Sequence, residues 1–177
     1  MAKNYKGIPA IGQFDPTACW MACLSWWLKA AHDKKLRQLD IMGLFGPVWT
    51  ADGTIDPTAL KDGIIKNNSI FKMNVESIFP GSLEYWASGD KPTLIGFKTP
   101  GGMGHMNVLY NFKKETGKIG AMEPWYPENL QIVQDTPGDL PYVADGKRFT
   151  GMHVNRPLSY YHTPLNGSTG LFIGYPQ

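Results

Sequence analysis

The sequence predicts an α+β fold, and three observations predict it. Two Asp-Pro pairs, Asp15-Pro16 and Asp56-Pro57, each stand before a run of helical character. Strand-like alternation falls after residue 69. Helices first and strands later suggest two layers that meet along a cleft. In chain order, Asp15 is expected to cap a first helix with Pro16 at its opening position, a place where a missing N–H does no harm. The run from 17 to 31 is apolar or small almost throughout, so the helix is expected over about residues 16–32. Trp20, Cys23 and Trp27 fall on one side and Cys19, Ala22 and Trp26 on another, the pattern of a helix surrounded by other elements. Lys29, His32, Asp33, Lys34 and Lys35 mark its emergence into solvent. A second helix is expected over 36–45, stopped by Gly46-Pro47, and a third from Asp56-Pro57 to about Asn67. Phe71-Lys-Met-Asn-Val alternates as a strand does, residues 82–88 suit a short helix, and 93–97 form a short apolar β run. Residues 105–112 and 118–122 read as two strands joined by the polar turn 113–117. Prolines at 124, 127, 137, 141, 157, 164 and 176 make the last third loop-rich, with strands near 152–154 and 171–175.

A chain of 177 residues has room for one domain. At that size roughly 70% of the unfolded surface is buried on folding, so a core needs neither a disulfide framework nor a structural metal. The expected organisation is a single domain over 1–177, helical over about 1–68 and β-rich over about 69–177. Seventeen Lys and Arg against fifteen Asp and Glu leave a net charge of +2 without long like-charged runs. That excludes the basic stripe of a nucleic-acid binder. The opening Met-Ala-Lys-Asn-Tyr-Lys lacks the apolar stretch of a secretory signal, and no apolar run approaches the ~20 residues that span a bilayer. The expectation is a soluble protein made in the cytoplasm without a Sec signal and without membrane insertion. Cys19 and Cys23 lie four apart, a spacing that on a helix stacks the thiols without the geometry of an unstrained disulfide.

Chemistry concentrates around Cys19. A reactive thiol needs a lowered pKa, a basic partner and donors for the oxyanion. Near the start of the first helix, unpaired N–H groups and the helix dipole favour a thiolate. Cys23, one turn deeper between Leu24 and Trp27, lacks that advantage. The alternative is that both are small core residues. Gln13-Phe-Asp-Pro-Thr-Ala-Cys19-Trp20 resembles the active-site helix start of the papain-like cysteine peptidases, in which a Gln precedes Cys-Trp by the same interval. The style is closest to small bacterial effector peptidases and to bacteriocin-leader-processing peptidases. The resemblance covers about residues 12–31 and 92–126 and implies a papain-like α+β fold, with the nucleophile helix packed on an antiparallel sheet and the active site in the cleft between. It implies that the Gln13 side chain and the Cys19 N–H form the oxyanion hole and that Trp20 walls the site.

The same resemblance implies a histidine from the second half as partner. Gly101-Gly-Met-Gly-His105, a Gly-rich entry into a β run, makes His105 that residue, with Gly102 and Gly104 leaving room for substrate backbone. His32 lies at the far end of the nucleophile helix, and His153 and His162 are expected in surface or turn roles. Glu123, in Ala-Met-Glu123-Pro-Trp, is the expected orienting acid, although related small bacterial enzymes carry Asp-Pro there. Asn107 and Asn111 are the alternatives. Trp125 is expected to shield the pair from water, or simply to fill the core. Neither a metal nor another cofactor is implied, since no His or Cys pair at ligand spacing stands opposite another such pair, and Cys19 and Cys23 with His105 would make a poor zinc site because Cys23 points along a packed helix. The implied activity is thiol hydrolysis of a protein or peptide substrate. A cell-wall peptide amidase, an acyltransferase, or a non-catalytic binding module of the same fold remain as alternatives. The resemblance further implies a bacterial effector or toxin, delivered into a target cell by a specialised secretion system or as part of a larger toxin, and restrained by a cognate immunity or inhibitor protein.

Overall fold

The computed structural model describes residues 4–14, 17–48, 54–89, 91–125, 151–165 and 168–177. It is α+β. Helices α1 (Cys19–His32), α2 (Gln38–Phe45), α3 (Pro57–Lys66) and α4 (Asn68–Phe71) precede strand β1 (Met73–Ile78), and a short α5 (Leu83–Ala87) follows it. Then come β2 (Thr93–Lys98), β3 (Gly104–Lys113), β4 (Lys118–Glu123), β5 (Met152–Pro157) and β6 (Leu171–Pro176). The six strands form one sheet in the order β1-β6-β2-β3-β4-β5, and every neighbouring pair is antiparallel.

Helix α1 covers one face of the sheet. Trp26 stacks on Tyr110 of β3 with ring centroids 5.7 Å apart, and the Cys23 thiol donates to the Met106 carbonyl at 3.3 Å. Trp20, Trp26 and Trp27 are fully buried, which is why this helix is apolar nearly all round. Phe45 from α2 fits edge-on between Trp20 and Phe71. The opposite face is also covered. Leu83 and Ala87 of α5 and Tyr161 of a 3₁₀ turn join Ile95, Phe97, Leu109, Ile119, Ala121 and Ile173 in a second core. Each large apolar side chain so buried contributes roughly 1.5–3 kcal/mol. Both faces of β3 being covered explains its continuous burial from His105 to Tyr110.

Most expected elements are present, with shifts of physical origin. Helix α1 begins at Cys19 with Ala18 as its N-cap and no capping side chain, so Asp15 is not the cap; Asp15 and Pro16 lie outside the described residues. Asp56 caps α3 as expected, accepting from the Thr58 and Ala59 N–H groups at 2.8 and 3.3 Å. Phe71, expected in a strand, closes α4 instead. Lys72 turns the chain at φ 47°, and the Asn68 side chain accepts the Met73 N–H at 3.0 Å, so β1 starts only at Met73. The C-terminal run at 171–176 is more than a tail strand, because it inserts between β1 and β2. Among the described residues, no helix is long and apolar enough to cross a membrane. Residues 126–150 of the expected loop-rich last third lie outside the described residues.

Candidate active site

Three element ends converge. Cys19 is the first residue of α1, His105 the second of β3 and Glu123 the last of β4. The register that pairs Val108 with Met122 sets Asn107 opposite Glu123 and His105 one diagonal step away. Across that diagonal the His105 Nε2–H donates to Glu123 Oε1 at 2.5 Å. Cys19 lines the same cleft as His105, and its interaction with the imidazole also favours the imidazolium. Phe97 and Trp125 meet the imidazole edge-on at 5.8 and 6.3 Å between centroids.

Burial shapes the electrostatics. His105 is 6% exposed and Glu123 1%. Burial by itself disfavours the His105 imidazolium, but the Glu123 charge and hydrogen bonds to Cys19 and Glu123 outweigh it and push the pKa up to about 10. Burial likewise opposes the Glu123 carboxylate. His105, Arg156 and the Trp125 N–H together hold it below the ordinary carboxylate value. The Cys23 thiol is pushed well up, chiefly by burial and further by Cys19 and Glu123. The two cysteines, one helical turn apart, differ in setting: Cys19 is half-buried and lines the cleft with His105, whereas Cys23 is sealed and its thiol held protonated.

Cys19 and His105 open onto a cleft of about 450 Å³. Its wall is apolar: Trp20, Ile55, Pro57 and Leu60 from the helical side, Met103, Met106 and Phe172 from the sheet, and Leu165 and Trp125 at the ends. Gly104 lines it, and a Cβ there would meet Leu165 at 3.3 Å. Gly102 does not. It sits in the exposed turn after β2 at φ 85°, its N–H bonded to the Thr99 carbonyl at 2.8 Å, so that glycine serves the turn rather than a substrate. Gln13 is fully buried and not part of the cleft wall. Its N–H donates to the Pro124 carbonyl at 3.0 Å, which anchors the residue beside Glu123. Gln38 donates to the Gly12 carbonyl at 2.9 Å, and Gly151 lies so close to Ile11 that an added Cβ would sit 2.3 Å from its carbonyl carbon. The approach to Gln13 is clamped from both sides.

Asn111 is exposed, at φ 52° in the bulge of β3, and cannot orient His105. Asn107 is buried beside the pair, but its amide donates to the Met106 carbonyl at 2.8 Å and its oxygen accepts from Arg156 at 3.3 Å. His153, expected at the surface or in a turn, is half-buried on β5. Its Nε2–H donates to the Ile8 carbonyl at 2.8 Å and its Nδ1 accepts from the Tyr110 hydroxyl at 2.5 Å, which ties the N-terminal segment to the sheet. Arg156, Leu165 and Phe172 stand in no local motif that marks them, whereas Met103 belongs to the Gly-rich entry to His105. Among the described residues, no group of three His, Cys, Asp or Glu side chains is arranged to hold a metal ion. The arrangement defines a class: an α+β chain with a Cys–His–Glu constellation at the mouth of an apolar cleft. The chain matches no protein-family model and no curated protein.

Proposed function

We propose that the chain is a papain-like thiol hydrolase that cleaves peptide bonds. The observation that carries this reading is the convergence on one cleft of Cys19, at the first position of a helix, and buried His105, which is hydrogen-bonded to Glu123. The Cys19 sulfur, its proton held by His105, attacks the substrate carbonyl. The oxyanion forms beside the first turn of α1, where the Cys19 N–H has no partner within its own helix; Gln13, buried away from the cleft wall, is not assigned to it. His105 then protonates the leaving amine, the C–N bond breaks and an acyl-thioester remains on Cys19. Water, deprotonated by His105, hydrolyses that thioester and restores the thiol. Glu123 accepts the Nε2–H throughout, fixing the ring and stabilising the imidazolium. The apolar cleft beside the thiol supports binding of an extended peptide through its side chains.

The test compares new protein termini in cells expressing the intact chain and its Cys19→Ala variant, alongside purified peptidoglycan incubated with both. Protein termini that depend on Cys19 support the reading. Release of cell-wall peptides without protein cleavage points to the amidase alternative, and no Cys19-dependent product in either arm rejects hydrolysis.

A further inference from the structure

Glu123 ends β4 with both carboxylate oxygens engaged. Oε1 accepts from His105 at 2.5 Å and from the Trp125 N–H at 3.0 Å, while Oε2 accepts from Arg156 Nη1 at 2.7 Å. Arg156 reaches this point from β5, the edge strand beside β4. The same Nη1 donates to Asn107 Oδ1 at 3.3 Å, and the guanidinium lies 4.2 Å over the Tyr160 ring. Asn107 is itself fixed through the Met106 carbonyl. The Arg156 head is therefore held on three sides, by a carboxylate, an amide and an aromatic face, and a planar cation so held cannot drift from its partner. Stability alone explains this poorly, because a buried ion pair is often no better than well-packed apolar groups. Orientation and charge at Glu123 explain it well.

We propose that Arg156 is a positioning residue of the Cys19–His105–Glu123 site, keeping the Glu123 carboxylate ionised and turned toward His105 and thereby setting the acid limit of thiol reactivity. The inference rests on the thiol-hydrolase reading. The titratable groups around Glu123 are His105 from β3, Arg156 from β5, Cys19 and Cys23 from α1, and Tyr160 and Tyr161 from the 3₁₀ turn. Burial and the Glu123 charge push the Tyr161 phenol up despite the opposing pull of Arg156, and Arg156 is held cationic by Glu123 against its own burial. Neither changes charge in the acid range. When Glu123 takes a proton, the His105 Nε2–H keeps only a neutral, weaker acceptor and the imidazolium loses its counter-charge. An adjacent arginine lowers a carboxyl pKa by about 1–3 units. Removing Arg156 therefore moves that protonation, and the loss of thiol reactivity with it, to higher pH.

The experiment measures the rate of Cys19 alkylation by iodoacetamide in the full chain, with peptide mass spectrometry separating Cys19 from Cys23, from about pH 4 to about pH 8. It uses the unaltered protein, Arg156→Met, Arg156→Lys, Glu123→Gln and the Glu123→Gln/Arg156→Met double variant. The acid limb of Arg156→Met is expected about 1 pH unit above that of the unaltered protein. Arg156→Lys restores the limb, because a cation remains, but lowers the plateau severalfold, because the fork is gone. In the Glu123→Gln background Arg156→Met changes nothing further. A superimposable Arg156→Met profile, a uniform loss at every pH, or an equal effect in the Glu123→Gln background overturns the proposal. If circular dichroism shows Arg156→Met unfolded, Arg156→Lys decides when made in both the unaltered and the Glu123→Gln backgrounds: a plateau lowered only where Glu123 is present supports the role, and an unchanged profile or an equal fall in both backgrounds overturns it. If Cys19 of the unaltered protein reacts no faster than Cys23, the thiol-hydrolase reading itself fails, an outcome distinct from an unmoved acid limb.

Discussion

Neutralising Glu123 should erase a pH dependence that the His105–Glu123 pair imposes on folding, and the size of the effect follows from the site. A Cys19→Ala background isolates the pair, since the thiol also acts on His105. In the intact site burial opposes the imidazolium, but Glu123 and Cys19 lift the His105 pKa from 6.5 to about 10. Without the thiol its share of that lift is lost, while the Glu123 charge still acts to raise the value. The folded state then keeps a proton that the unfolded chain has released, so this stability is fully present below pH 6.5 and is lost as pH rises to the folded-state pKa. The slope is about 1.4 kcal/mol per pH unit. Across the whole interval to pH 10 it would sum to about 5 kcal/mol; with the thiol's share removed and the high effective dielectric of real sites, about 2–3 kcal/mol is expected. Glu123 acts on the other side, its stabilisation being present above the ordinary carboxylate pKa and lost as pH falls through the lowered folded value. One attraction shifts both groups, so the two limbs are not added. The assay is urea unfolding of Cys19→Ala and Cys19→Ala/Glu123→Gln from about pH 6 to about pH 10. Arg156 stays charged over that range, so its lost partner contributes a constant. The stability gap between the two proteins should narrow by about 2–3 kcal/mol as pH rises; a gap independent of pH refutes the electrostatic account of His105.

Three other outcomes are expected. Iodoacetamide should label Cys19 alone in the native chain, with Cys23 reacting only after denaturation, and Cys23→Ala should keep hydrolytic activity while losing about 1 kcal/mol of stability. Gly151→Ala would put a Cβ 2.3 Å from the Ile11 carbonyl carbon and 2.5 Å from its oxygen, backbone atoms that yield only if the segment leading to Gln13 moves; a loss of about 2 kcal/mol in urea unfolding is expected together with a fall in turnover. Tyr110→Phe removes the donor to His153 Nδ1 and should cost about 1 kcal/mol, read from the urea midpoint at unchanged m-value.

What could be read from the sequence, and what could not, divides by range. Asp56 marks the start of α3 because its own side chain makes the cap; the start of α1 at Cys19 carries no such mark, since Ala18 caps with backbone alone. His105 and Glu123 stand out because each lies at the end of a strand beside Gly or Pro, and Cys19 because Gln13 and Trp20 frame it within one short window. Gly102 misled for the same reason, being one of several glycines near His105 of which only Gly104 faces the cleft. The insertion of β6 between β1 and β2 and the reach of Arg156 to Glu123 depend on pairings between distant segments that no short window contains. Strand β5 shows the consequence. Its side chains alternate across the sheet, so His153 on the α1 side holds the Ile8 carbonyl while Arg156 on the other side holds Glu123. Gly151, just before it, presses on Ile11. One edge strand thus braces the segment that carries Gln13 and the acid that orients His105, and only the pairing of β5 with β4 brings those two tasks to one place.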